Sequence, residues 1–406
     1  MLHYLARELS ARGNQLDLIA FDGETQHPSE GKPYEHFGSV QLLPERMRSG
    51  LDYLLRLRRV FPNQAGESWN PSMWRAIAQA VLEHDFDLVH FLGSIQVYEF
   101  RNAVWSHLPT VIVPADSLTL LHRRRLAVAG GARRLRAWLE WKVARGFERT
   151  IYQGFGRVIV VGEGDRAELA DLAAGLPVEV IPNGVDLPVE YRIPRAPPTL
   201  VFVGNYTYAP NVEAAIWLAE EILPRVQAVK PAARLLLVGA DPPGKVRRLA
   251  NDSVEVTGWV PAVGSYLRQA TCFVSPLTSG SGMHNKVLEA LAQGVPVVAT
   301  PISCDGLSLT AKEHVLLGTT AESLADQVLR LIGQPRLAER IGQAGREHVR
   351  AHFSWRSVAD RYVNVFESVV EEFGRGLAGR GGRSGLPSGA GAAAGDPAAT
   401  APKAPA

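Results

Sequence analysis

TSGSGMHNKVLEALAQGVPVVAT, from Thr278 to Thr300, reads as a small-residue loop, a helix and a buried strand in immediate succession. The loop is Ser279, Gly280, Ser281 and Gly282, the helix carries Lys286 and Glu289 near its start, and the strand falls on Pro296 to Ala299. Glycine tolerates positive φ and lets a ligand approach the backbone, while the helix beyond presents unpaired N–H groups and the positive end of its dipole. Lys286 adds a point charge, read as one turn inside the helix. Glu289, three residues on and on the same helical face, can accept two hydrogen bonds from a ribose diol. Together they point to a nucleoside diphosphate carrying a further group. The same succession also serves packing alone in ordinary α/β repeats, so the neighbouring sequence decides.

On the amino side of this stretch, TLVFVGN, ARLLLVGA, VEVTGWV and CFVSPL are short apolar runs separated by helical patterns in PNVEAAIWLAEEILPRV, PGKVRRLA and VGSYLRQA. Alternation with short links predicts a parallel sheet covered by helices on both faces. Beyond it, Ala321 to Phe373 reads as helical, with Ser354 capping the last helix. From Gly374 the chain turns to Gly, Ala, Pro and Ser, a composition that cannot bury a core and predicts a disordered tail over 374–406.

The first half repeats the rhythm less cleanly. MLHYLARELSARG reads as an amphipathic helix and Gln15 to Phe21 as a strand, so an alternating sheet that normally opens on a strand is expected to lack its first one here. Strands follow at FDLVHFL, LPTVIVPAD, RVIVVG and VEVIPNGVD. Loops at the carboxyl ends of parallel strands are where ligands sit, which singles out Asp116 as a catalytic candidate and His90 beside it. Asp85 and Asp87 flank a helix-to-strand junction as solvated turn residues, and no metal is assigned. Two arginine-rich stretches stand out: Glu45 to Phe61, and Ser117 to Leu139, which contains no acidic residue. Either suits a solvated helix face or peripheral contact with an anionic membrane. PNGVD, Pro182 to Asp186, reads as a turn in which Asn-Gly tolerates left-handed geometry, and the proline-rich segment after it as a linker. The domains read as 1–188, a linker at 189–198, then 199–355, and a crossover helix at 356–373.

At 406 residues with 46% apolar content the chain can fill two cores, and a formal net charge of +2 argues against a nucleic-acid binder, which needs a broad basic face. Two cysteines, Cys272 and Cys304, offer neither metal spacing nor a disulfide framework, which fits reduced thiols in the cytoplasm. No run approaches a membrane span and no signal peptide is visible, so the expectation is a cytoplasmic protein, peripheral at most to the inner membrane face.

The ordered run VFVGNYTYAPN, LLLVGADP, VTGWVP and SPLTSGSGMHNKVLEALAQGVPVVATPISCDGL resembles the carboxyl half of the GT-B retaining glycosyltransferases of family 4, the group 1 transferases. PNGVD is similar to their interdomain turn. The layout resembles the family over Leu2 to Phe373, with specific motifs confined to Thr199 to Leu307. The resemblance implies two Rossmann-like doubly wound domains facing across a cleft, with the last helix returning to the amino-terminal, acceptor-side domain. It implies a nucleotide sugar as donor, a glycan or lipid-linked acceptor, a role in envelope or exopolysaccharide synthesis, and no cofactor or metal requirement.

Carried over residue by residue, the second glutamate of the family's Glu-x7-Glu pair falls on Glu289, the ribose holder, and the first on Ser281. The usual Arg and Lys after the first carboxyl-domain strand are replaced by NYTYAPN, from Asn205 to Asn211, and no histidine stands near Ala115 and Asp116. A sub-branch with a GSG-x-x-NK-x-LE loop looks like this, with Lys286 taking over the diphosphate charge. The resemblance places the donor against Gly204, Asn205, Gly258, Val260, Gly280, Ser281, Gly282, Met283, His284, Asn285, Lys286 and Glu289. A sugar-nucleotide epimerase on the same fold and a non-catalytic scaffold are the alternatives. An epimerase needs acid–base groups around the sugar, where this chain offers Ser281 and His284.

Overall fold

The computed structural model describes residues 2–22, 34–46, 62–93, 95–104, 108–114, 117–188, 197–280 and 283–381. Asp116, Ser281 and Gly282, most of the Glu45 to Phe61 stretch and the 382–406 tail lie outside the described residues.

Helix α1 (Leu2–Ser10) opens the described chain and leads to a parallel pair, β1 (Asp17–Asp22) and β2 (Ser39–Pro44). Helix α2 (Pro71–Glu83) starts at Asn70, whose side chain accepts from the Met73 amide, and Pro71 at the first helical position needs no N–H partner. Strands β3 (Val89–Gly93), β4 (Thr110–Pro114), β5 (Arg157–Val160) and β6 (Val178–Val180) then form a four-stranded parallel sheet in that order. Between β4 and β5 runs a helical hairpin, α3 (Leu118–Val128) and α4 (Ala132–Ile151), and α5 (Glu163–Leu172) links β5 to β6. No ladder joins β1 to β3, so the first half carries two separate sheets among the described residues.

The second half holds one six-stranded parallel sheet of β7 (Thr199–Val203), β8 (Arg234–Val238), β9 (Val254–Gly258), β10 (Cys272–Ser275), β11 (Val297–Ala299) and β12 (Leu316–Leu317), in the order β12-β11-β10-β7-β8-β9. Its links are α6 (Ala209–Trp217), a π-helical turn at Leu218–Ile222, α7 (Leu223–Gln227), α8 (Gly244–Arg247), α9 (Gly264–Leu267) and α10 (Asn285–Ala292). Central strands such as TLVFV are buried at every position, and apolar after Thr199, because helices cover both faces. The short β12 and the π turn are too brief to leave a periodic signal in sequence.

Helices α11 (Ala321–Gly333), α12 (Pro335–His352) and α13 (Trp355–Gly381) close the chain. Ser354 caps α13 as expected, its hydroxyl accepting from the Ser357 amide at 3.2 Å. The helix runs past Gly374, where the composition had suggested its end. Its apolar face (Trp355, Val358, Ala359, Tyr362, Val365, Val369) packs with Leu5 and Leu9 of α1 and Val111, Val113, Ile159 and Ile181 of the first-half sheet. The last helix thus returns to the first half, which with helix-flanked parallel sheets in both halves is the GT-B arrangement.

PNGVD differs from its expected geometry. Neither Asn183 nor Gly184 has positive φ; glycine is required because a Cβ at 184 would lie 2.4 Å from the Trp355 ring. Val185 beside it bridges to Ser354, and its amide donates to the Phe353 carbonyl at 2.8 Å. The two chain crossings between the halves therefore lie side by side.

Candidate functional site

Parallel strands deliver their carboxyl ends to one edge, and in the second half three adjacent strands each end on glycine. Gly204 follows β7, Gly239 follows β8 and Gly258 closes β9. The Gly204 amide donates to the Val238 carbonyl at 3.0 Å and the Gly239 amide to the Gly258 carbonyl at 3.1 Å. Gly239 has φ +142, and a Cβ there would fall 1.8 Å from the Gly204 carbonyl oxygen, so no other residue fits. This bare backbone forms the floor of the site.

The loop of the opening motif rises beside it on an anchored base. Ser275, Thr300 and Ser303 are buried, and their hydroxyls bond one another and the chain: Ser303 Oγ donates to the Ser275 carbonyl at 2.7 Å and Thr300 Oγ1 to the Leu277 carbonyl at 2.6 Å. The loop then reaches Gly280, at φ +142. A Cβ on Gly280 would stand 3.2 Å from the His284 ring and 3.4 Å from the Tyr208 hydroxyl.

Helix α10 begins at Asn285, so Lys286 lies in its first turn rather than one turn inside. The Lys286 ammonium donates to Asn211 Oδ1 and lies over the Phe202 ring, 4.8 Å from its centroid. Burial lowers its pKa from 10.5 to about 8, while Glu289 pulls the other way. Glu289, on the next turn, is raised by burial and lowered by Lys286. The two are therefore electrostatically coupled, yet among the described residues the Glu289 carboxylate has no hydrogen-bond or ion-pair partner. A half-buried cation and an uncommitted carboxylate beside a glycine floor can grip an anionic group that also carries hydroxyls.

Asn211 is the residue that sequence reasoning passed over. It is buried, accepts from Lys286 and donates through Nδ2 to the Asn205 carbonyl at 2.7 Å, and Gly204 has no Cβ because one would stand 2.9 Å from the Asn211 side chain. It lies at the far end of the NYTYAPN segment that replaces the family's basic pair. The signal was its place in the first turn of α6, directly after that pair's position.

His284 is buried at the start of α10 with Nε2 unpartnered, and burial first, then Lys286, lowers its pKa to about 4. It is a neutral imidazole facing the loop, able to share a hydrogen bond with a ligand but unable to carry charge at neutral pH. Asn285 accepts from Asn183 Nδ2 of the interdomain turn at 3.2 Å. Met283 and Val260 pack against the second-half core, and Trp259 between Gly258 and Val260 is 44% exposed.

The first half contributes Arg124, also missed because it stood among five other arginines. From α3 it donates through Nη1 to the Gly280 carbonyl at 3.1 Å and through Nη2 pairs with Asp305 at 3.0 Å. The other end of α3 is closed to ligands. Glu148, buried, fills it with its own carboxylate, accepting from the Leu118 and Thr119 amides and the Ser117 hydroxyl at 2.8 to 2.9 Å. His90 turns away from the cleft, packing on Tyr362 and Phe366 of α13, and burial lowers its pKa to about 4. Among the described residues one group has metal-ligand character, His3, Glu35 and His36, with ligand atoms within 4.8 Å of one another. It lies on the first half, and Glu35 is half exposed. Cys272 and Cys304 are free thiols that burial pushes up to about 12. No described helix is long and apolar enough to cross a membrane.

Two parallel-sheet halves, a crossover helix and a cation–carboxylate pair at the strand ends define the class: a GT-B glycosyltransferase. Residues 197–334 match the family model "Glycosyl transferases group 1" and residues 1–188 the model "Glycosyltransferase Family 4". The chain belongs to this group 1, family 4 class of glycosyltransferases. It is 27% identical over 313 residues to a phosphatidyl-myo-inositol mannosyltransferase of Mycobacterium leprae, covering 70% of this chain and 82% of the relative. It is 26% identical over 297 residues to an alpha-maltose-1-phosphate synthase of Mycolicibacterium smegmatis, covering 64% and 73%. Among solved structures, sucrose-phosphate synthase from Thermosynechococcus elongatus superposes with a TM-score of 0.65 at 19% identity, covering 91% of this chain and 92% of that one, a likeness of fold.

Proposed function

We propose that this glycosyltransferase moves a sugar, with retention of anomeric configuration, from a nucleoside diphosphate donor bound in the second half to a glycan or lipid-linked acceptor docked on the first. The observation that carries it is Lys286, a cation held half-buried by Asn211 and Phe202 one helical turn from the Glu289 carboxylate, which among the described residues has no hydrogen-bond or ion-pair partner. The diphosphate would lie against Lys286 and the glycine floor, the ribose on Glu289, the base beside Gly258 to Val260, and the sugar toward Gly280 and His284. Ser281 stands where the family's first glutamate would meet the sugar. In a retaining transfer of this kind the departing diphosphate accepts the acceptor's proton, so the protein's task is to position both substrates and stabilise charge on the leaving oxygen. Lys286 and the amides of Gly282 to His284 would do so, with Asp116 at the acceptor side. Residues 1–188 and 199–355 act as the two domains, with 189–198 as linker. The names of the relatives favour a lipid-linked or saccharide acceptor, and a place in envelope or exopolysaccharide synthesis is part of the same proposal.

A thermal-shift screen of UDP, GDP and ADP sugars tests this, since a ligand at 100 times its Kd adds about 2.7 kcal/mol to the bound fold. One nucleotide should stabilise the protein, and Glu289→Ala should weaken that binding in calorimetry. Turnover of the donor with no acceptor present would instead identify an epimerase. Failure of every nucleotide to bind would leave a non-catalytic scaffold.

A further inference from the structure

Helix α4 carries an apolar stripe that nothing in the described structure covers. Leu135 is 64% exposed, Trp138 43%, Leu139 51% and Val143 55%, a third of the large apolar side chains left exposed among the described residues. Their spacing of three, four and eight residues puts them on one face of the helix. The opposite face seats it firmly: Ala137, Ala144, Glu148 and Ile151 are buried, and Glu148 caps the neighbouring α3.

The stripe is framed by cations. Arg125, Arg133, Arg134, Arg136, Lys142 and Arg149 are all exposed. Lys142 lies over the Trp138 and Trp141 rings, 5.7 and 5.4 Å from their centroids. Glu140, the one acidic residue beside the stripe, is bonded to Arg136 at 2.8 Å. A convex helix face with apolar side chains at its centre and positive charge around them matches the boundary of an anionic bilayer, where the Leu and Trp side chains reach acyl chains and the arginines reach phosphates. The same hairpin holds Arg124 against the Gly280 carbonyl, so the face lies one helix away from the loop of the candidate donor site.

We propose that the exposed face of α4, centred on Leu135, Trp138, Leu139 and Val143, docks this protein on anionic lipid, holding the donor loop at the membrane surface. This goes beyond the proposed transfer reaction, because lipid binding needs no nucleotide and can fail while nucleotide binding stands.

The test is flotation of the full chain with phosphatidylcholine vesicles, pure or containing about one third phosphatidylglycerol. The protein should float only with the anionic vesicles, and less as salt rises. The pair Arg133→Gln and Arg134→Gln should lower the partition coefficient about 30-fold, from about fivefold per cation at the surface. The pair Leu135→Ser and Leu139→Ser should lower it about tenfold, with retained melting behaviour showing that the exposed positions do not carry the fold. Absence of binding to anionic vesicles overturns the proposal, as does binding that survives both pairs of substitutions. A dimer in sedimentation velocity that the Leu135→Ser and Leu139→Ser pair disperses, without lipid binding, would assign the face to a second copy of the chain and overturn it equally.

Discussion

Lys286→Met is expected to give a protein that is more stable than its parent and far slower. The folded state holds the ammonium over Phe202 at a pKa of about 8, against 10.5 for a free lysine, and that fall corresponds to about 3 kcal/mol of instability while both folded and unfolded chains are charged. Methionine keeps the apolar stem on the ring and removes the charge. It also leaves Asn211 Oδ1 without its donor, which costs about 1–3 kcal/mol at a buried site. The balance at pH 7 is a gain of about 1 kcal/mol, or about 2–4 °C for a domain of this size. The sign follows from proton binding. Below pH 8 both states hold the proton and the penalty is complete. Between about pH 8 and 10.5 the folded state has released it while the unfolded chain has not, so wild-type stability climbs relative to the variant. Melting temperatures of the two proteins measured in parallel from pH 6.5 to 10.5 should therefore show the variant ahead at low pH and the gap closing as pH rises. A gap independent of pH, or a variant that melts below wild type at pH 7, would refute the account of Lys286 as a half-buried charge. Turnover should fall at least 100-fold in the same variant, since one donor to a developing oxyanion is worth about 3 kcal/mol.

Nucleotide affinity measured by calorimetry should weaken as pH rises through 8, because Lys286 loses the proton that attracts the diphosphate; affinity unchanged to pH 9.5 would remove Lys286 from the binding site. Asn211→Asp should weaken nucleotide binding about tenfold by giving Lys286 a permanent counter-charge, and equal or tighter binding would show that the ammonium does not meet the phosphates. Gly239→Ala should cost about 2 kcal/mol or more in urea unfolding of the second half, since its Cβ would collide with the Gly204 carbonyl at an unfavourable φ. Arg124→Met should leave the melting temperature within about 1 °C, because its pair with Asp305 is largely solvated, while slowing transfer several-fold through a loosened Gly280 loop.

The second half was legible because its physics is local. After their first residue, runs such as TLVFV and RLLLV are apolar at every position and buried, and only strands covered on both faces ask for that. Lys286 and Glu289 could be paired from spacing alone. What sequence could not carry was anything decided across the chain. Asn211 reaches Lys286 over 75 positions, and Arg124 reaches Gly280 over 156. Among six arginines in one acid-free stretch, composition has no means of telling the one that turns inward from those facing out. The PNGVD turn shows the same limit, for its glycine answers to Trp355, a residue on the returning helix, and not to its own backbone geometry. The positive charge of that arginine-rich region was visible in the sequence. Its apolar half was hidden, because Leu135, Leu139 and Val143 look like core residues until neighbours fail to cover them.

The returning helix also sets the order in which the molecule can be finished on the ribosome. Leu5, Leu9, Val111, Val113, Ile159 and Ile181 have their partner in residues 355–369, so the first half to be synthesised stays uncovered on one face until the rest of the chain has emerged. The second-half core, drawn almost wholly from residues between Leu200 and Phe353, has no such wait. A fragment ending at residue 188, by contrast, would present water with the bare side of a sheet.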